Sequence, residues 1–223
     1  MTDKTTVLKS KQKQSDEIAV CHNRVSKYMN HSDYNKIHGK LCGVSMSVDK
    51  KTGIKDIILR GKKNIEKQNG RDIAPSEKYI VRFPDSGNCN ALLIKECSKG
   101  NKIKELTEPI SHETAMRIIE RSTKWLCSSL SPLIRELGVK MTTERLQPDT
   151  VVKFDREYFT VDNRIKITAD SGIALTEYAG NYDSFCLSND YAEPLDGSVC
   201  LLQVNYERII PEYISSLIGL RVH

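Results

Sequence analysis

At 223 residues and a formal net charge of +5, the chain is long enough for one or two domains and permits an anionic partner without requiring one, since a solvated basic surface accounts for the charge equally well. Its 39% hydrophobic and 28% charged residues are those of an ordinary soluble globular protein, with no apolar run near the ~20 residues that span a bilayer. With a polar N-terminus and seven cysteines that lack a CxxC pair or zinc-type spacing, neither a secretory signal nor a disulfide or metal framework is expected, and the reading is a cytoplasmic protein with reduced thiols.

Residues 1–20 read as a disordered basic tail, in which Lys4, Lys9, Lys11 and Lys13 alternate with polar residues. Residues 21–223 read as a single domain. Ser32 is a candidate N-cap for a helix through Tyr34, Ile37 and Leu41 to about Cys42, with Gly43 after it. Residues 49–77, rich in Lys, Gly and Asn, read as loop around a short strand at Ile57-Ile58-Leu59. Strand 78–83 puts Tyr79, Val81 and Phe83 on one face and Lys78, Ile80 and Arg82 on the other. The turn Ser98-Lys99-Gly100-Asn101 joins strands 91–97 and 102–107 in a hairpin. Ser111 caps a helix through Met116, Ile118 and Ile119, and a second helical pattern runs from Trp125 to Leu137. Strands 150–159 and 163–169 follow, then an irregular stretch over 171–197. Strand 199–206 and a helix over 211–219, with Pro211 in its first turn, close the chain.

Long antiparallel strands with helical inserts predict an α+β fold, a curved sheet or closed barrel with flanking helices. In a barrel, one face of each strand lines the interior. Lys78, Arg82, Lys95, Arg156 and Lys166 are the cations expected there. Unpaired buried charges cost several kcal/mol each, so such an interior needs phosphate oxygens or water to fill it. An open sheet with a wet polar face satisfies the same pattern.

These residues also carry a family resemblance. The order Ser26-Lys27-Tyr28, Lys-Tyr-x-x-Arg at 78–82, Leu-x-Ile-Lys at 92–95, Phe154-Asp155-Arg156-Glu157-Tyr158, Ile165-Lys166-Ile167-Thr168-Ala169-Asp170 and the closing Leu-Leu-x-Val-x-Tyr…Pro-Glu-Tyr-Ile resembles the VTC domain. That is the catalytic domain of the vacuolar transporter chaperone polyphosphate polymerases and their bacterial relatives, one of the triphosphate-tunnel metalloenzymes. The resemblance covers roughly residues 21–219. It implies an antiparallel β-tunnel in which ATP, triphosphate or inorganic polyphosphate is held for phosphoryl transfer with manganese or magnesium. Carried onto this chain, it implies catalytic roles for Arg82, Arg156 and Lys166 and phosphate binding by Lys27, Lys78, Lys95 and Lys104. Gln203 stands at the position of a metal-binding glutamate.

The chain departs from the family pattern at the positions that chemistry needs most. Ile80, Cys97 and Asn205 stand where the resemblance implies cations, and Leu93 and Gln203 where it implies glutamates. Divalent cations of this kind prefer charged oxygen ligands, and Gln203 offers only a neutral carbonyl. Strand alternation is expected to turn Glu96 and Glu207 away from the lost ligands. Three functions therefore stand: polyphosphate synthesis or a related phosphoryl transfer, a catalytically impaired module that binds polyphosphate or nucleotide, and a nucleic-acid binder. The last ranks lowest, because few aromatics are interleaved with the cations.

Overall fold

A computed structural model of the chain describes residues 18–61, 76–84, 90–178, 180 and 199–220. Among them, eight strands close into an antiparallel barrel: β1 (Ile18–Asn30), β2 (Ser47–Arg60), β3 (Ser76–Pro84), β4 (Ala91–Lys99), β5 (Lys102–Ile110), β6 (Gln147–Asp162), β7 (Ile165–Glu177) and β8 (Val199–Tyr206). The order around the ring is β1-β5-β4-β3-β2-β6-β7-β8. The helices are α1 (His31–Val44), α2 (His112–Ile119), α3 (Thr123–Cys127), α4 (Pro132–Thr143) and α5 (Glu212–Ile218). No helix of the described residues is long and apolar enough to cross a membrane.

The main apolar cores lie outside the barrel wall. The outward side chains of β2, β3 and β4, among them Ile57, Tyr79, Val81 and Leu93, pack under Ile118, Leu133 and Leu137 of α2 and α4. On another side, Phe159, Ile167, Leu202 and Val204 of β6, β7 and β8 pack under Leu41 of α1 and Ile214 of α5. Burying a side chain of this size stabilises the fold by about 1.5–3 kcal/mol. With the outward face spent on helices, period-two alternation leaves the inward face free to be polar. A smaller apolar cluster, Ile54, Phe154 and Ile173 with Val152 and Leu201 against it, sits on that inward face.

Several boundaries differ from the sequence reading. The chain is already β1 at Ile18, so the expected tail is shorter than 20 residues; residues 1–17 lie outside the described set. Helix α1 is capped by Asn30, whose side chain accepts from the Asp33 N–H at 2.7 Å, and not by Ser32. Strand β2 runs through Lys50, Lys51 and Gly53, which read as loop because its first half is solvated and two register shifts interrupt its alternation. The second helical pattern is two helices, α3 and α4, the latter started afresh by Ser131 accepting from the Ile134 N–H and by Pro132 at its first position. Strand β7 continues to Glu177, past the expected end at 169; it takes Ser171 and Gly172 (φ 61°) beside a register shift against β6. Much of the irregular stretch expected over 171–197 lies outside the described residues.

Candidate functional site

The barrel interior holds a cavity of about 410 Å³. Four cations line it: Arg24, Lys78, Arg82 and Arg156. So do four carboxylates: Asp56, Glu96, Glu105 and Asp170. The lining is thus formally neutral, where the sequence predicted a basic one.

Register explains the pairing. Arg82 on β3 lies directly across from Asp56 on β2, and its Nε and Nη2 donate to the two carboxylate oxygens at 2.8 and 2.7 Å. Arg156 on β6 lies across from Asp170 on β7 and makes the same two-pronged contact at 2.6 and 2.7 Å. Both guanidinium groups approach one ring, that of Phe154, at 6.0 Å for Arg82 and 4.9 Å for Arg156. Burial works against the Arg156 charge, yet the hydrogen bonds and charge of Asp170 outweigh it and raise the pKa above the ordinary arginine value. Each arginine has five N–H donors, so two-pronged pairing leaves three available on each.

The third cluster is built on Arg24 of β1. Its Nε donates to Asn205 Oδ1 at 2.9 Å, Nη1 to Glu96 at 2.6 Å, and Nη2 lies 3.3 Å from both Glu105 Oε2 and His22 Nε2. Burial and then the Arg24 charge lower the His22 pKa, against opposing pulls from Glu105 and Glu96.

Beside Arg156 the lining turns uncharged. Register sets Tyr158 across from Thr168, Thr168 across from Gln203, and Gln203 across from Ser26, giving one row over β6, β7, β8 and β1. Thr168 Oγ1 is the single buried side-chain polar atom among the described residues that lacks a hydrogen-bond partner. A buried hydroxyl left unsatisfied costs ~1–3 kcal/mol, and this one has almost no surface of its own open to the cavity.

The predicted site residues divide. Arg82, Arg156 and Lys78 line the cavity, and Gln203 lines it too, beside Thr168. Lys166 shares the inward face of β7 with Thr168 and Asp170 but is exposed beyond them, at the rim. The assignment of Lys27, Lys95 and Lys104 to the tunnel is corrected: all three turn outward. Lys27 donates to the carbonyls of Ile218 and Gly219 at 2.7 and 3.0 Å, neutralising the C-terminal end of α5 where Gly219 adopts φ 61°. Lys95 bonds Glu136 of α4 at 2.5 Å and Glu77 at 2.8 Å, and Glu77 also takes Lys140, so these charges fasten α4 to the wall. Lys104 is exposed on the outer face of β5 between Cys21 and Cys97. The face assignment on β4 is corrected as well. Leu93 is wholly buried on the outer side and so is no missing ligand, whereas Glu96, expected on the other face, lines the cavity with Gln203.

Arg24, Asp56, Glu105 and Thr168 were not singled out from the sequence. His22, Arg24 and Ser26 do alternate along β1, but assigning the first residues of that strand to a tail hid the pattern. Asp56 was hidden in the same way by a loop assignment.

A divalent cation does not fit the residues present. Asp56 and Asp170 each spend both oxygens on an arginine, and Glu96 and Glu105 share a third. Among the described residues, no group of three or more His, Cys, Asp or Glu is placed to hold a metal ion. The metal role expected of Gln203 therefore lacks the carboxylate company it needs.

The family model of the VTC domain matches residues 60–222, so the chain belongs to that family. The barrel is the triphosphate-tunnel fold of its solved likenesses. A Hippeastrum protein described as an adenylyl cyclase with a dominant triphosphatase activity is 9% identical, with 89% of this chain and 84% of that one covered, at a TM-score of 0.52. A Pyrococcus horikoshii protein is 12% identical over 89% of this chain and 84% of that one, at a TM-score of 0.45. The mimivirus capping-enzyme triphosphatase is 11% identical over 89% of each chain, at 0.44. At such identity the Hippeastrum likeness is one of fold. No curated protein sequence matches the chain.

Proposed function

We propose that this VTC-family domain binds a nucleoside triphosphate or a similarly short triphosphate-bearing ligand in its tunnel, without a metal ion and without transferring the phosphoryl group. The observation that carries this reading is a set of donors that line the cavity: the Arg156 guanidinium, with N–H groups left over from its two-pronged pairing to Asp170, the Gln203 amide and the Tyr158 hydroxyl. Hydroxyl, amide and guanidinium donors together suit phosphate oxygens. The apolar wall of Val152, Phe154, Ile173 and Leu201 suits a nucleobase better than a further run of phosphates. A lining of balanced charge offers no surplus of cations for a long polyphosphate to run along, whereas a nucleotide also gains the apolar wall. Metal-dependent transfer needs carboxylates free for the metal and cations free for the transferring group. Here these two sets of residues neutralise each other.

Calorimetry on the full chain in EDTA tests the reading with ATP, tripolyphosphate and long polyphosphate. ATP is expected to bind, and Arg156→Ala to weaken it by ~1.5–3 kcal/mol, the range for a hydrogen bond to a charged group. Unchanged affinity in the variant, or binding that requires added Mn²⁺, overturns the proposal. Steady phosphate release or polymer formation from ATP and Mn²⁺ by the unmodified chain overturns its non-catalytic part.

A further inference from the structure

The Arg24 cluster deepens the metal-free reading of this tunnel and rests on it. Glu96 of β4 and Glu105 of β5 are direct register partners, and both line the cavity. Directly opposed residues have Cβ atoms ~4.5–5.5 Å apart, and like charges so placed repel. A positive group between the two carboxylates offsets that repulsion. That positive group is the Arg24 guanidinium, 2.6 Å from one carboxylate and 3.3 Å from the other, with its side chain 16% exposed.

The remaining acceptors around the guanidinium complete an unusual set. Asn205 offers a carbonyl oxygen at 2.9 Å from Nε, and His22 offers a ring nitrogen at 3.3 Å from Nη2. Two carboxylates, an amide oxygen and a neutral imidazole are the ligand types that hold Mn²⁺ and similar ions. We infer that Arg24 is a built-in counter-cation, occupying from within the chain the place a divalent ion would take among Glu96, Glu105, His22 and Asn205. The guanidinium spreads its charge over a plane and holds the four acceptors around itself, where a single ion would otherwise draw them together. That accounts for the lack of a metal-competent group among the described residues. It makes Arg24 the residue that excludes divalent cations from this end of the tunnel.

The test uses the full chain and Mn²⁺ alone, followed by loss of the free-ion electron paramagnetic resonance signal and by calorimetry. The wild-type chain and Arg24→Lys are expected to leave Mn²⁺ free. Arg24→Ala is expected to show saturable one-site binding, and adding Glu105→Gln to it should abolish that binding. A folded Arg24→Ala chain that leaves Mn²⁺ free overturns the inference. So does saturable binding by the wild type that disappears in Glu105→Gln. If Arg24→Ala fails to fold in metal-free buffer, refolding with Mn²⁺ decides, since a ligand that binds only the native state stabilises it. Recovery of the native circular dichroism supports the inference, and no recovery rejects it. No nucleotide is present, so failure of ATP to bind the wild-type chain would sink the binding reading and leave this result intact.

Discussion

Arg156 and Asp170 set the terms on which this tunnel carries charge. Asp170 is 4% exposed and accepts both prongs of a guanidinium that is itself largely out of solvent. Such a pair contributes little net stability beside an apolar substitute, but removing one partner strands the other. Asp170→Ala is therefore expected to destabilise the chain by ~3–5 kcal/mol in urea unfolding, the range for a broken buried pair. A loss below ~1 kcal/mol, the level of an exposed pair, would show the tunnel to be well solvated at that point. The same aspartate, after burial itself, helps push the thiol of Cys200 up to about 11, so that this cysteine stays protonated and inert.

At the scale of elements, helices are held to the barrel by close approach and by outward charge. Gly138 of α4 shows the first. A Cβ added there would lie 2.8 Å from both the Cys127 nitrogen and Leu126 Cβ, so α3 and α4 touch through a missing side chain. Alanine is the better helix former by ~1 kcal/mol, yet overpacking costs ~1–3 kcal/mol. Gly138→Ala is expected to lower stability in chemical denaturation, and a rise would mean that α3 can move away at little cost. Outward charge does similar work at Lys95 and Glu136, and at Tyr34 and His38 of α1, which bond Glu157 on β6 at 2.8 and 3.0 Å. Glu157 is thus a docking residue for α1, on the wall opposite in face to its neighbour Arg156.

Across the whole molecule, the surplus of +5 does not reside in the cavity, whose described lining has four cations and four carboxylates. Two groups outside that lining make the fold sensitive to acid, in two windows. The folded His22 pKa lies below its ordinary 6.5, so the unfolded chain binds more protons there; the contribution is complete above about 6.5 and is lost as pH falls towards the folded value. Burial pushes Glu77 up, but its hydrogen bonds to Lys140 and Lys95 prevail and hold it below 4.5; its contribution is present above 4.5 and lost as pH falls through the folded value. Denaturation midpoints should therefore fall between pH 7.5 and 5.5 in the wild type, and fall less in His22→Asn. Equal slopes in the two chains would show that His22 does not face Arg24, Glu96 and Glu105 in solution.

The alternation of Tyr79, Val81 and Phe83 against Lys78, Ile80 and Arg82, and the apolar positions of α2 and α4, were enough to determine a curved antiparallel sheet with helices against it. Local pattern encodes which side chains share a face. The ordered motifs from Lys78 to Tyr213 determined the family in the same way. Where a strand is solvated or shifted in register, as in β1 and the first half of β2, that pattern is diluted, and Arg24 and Asp56 went unseen. What the tertiary structure alone decided is the sign of the interior. Whether Lys95 or Glu96 faces inward depends on a one-residue register, and a one-residue slip exchanges the two faces of a strand. Whether an arginine stands bare or paired depends on which residue the neighbouring strand brings opposite it. Barrel closure brought Arg24 to Glu96 and Glu105 from a strand distant in sequence, and the register of consecutive strands set Asp56 against Arg82 and Asp170 against Arg156, so that the arginines of an otherwise basic tunnel are paired.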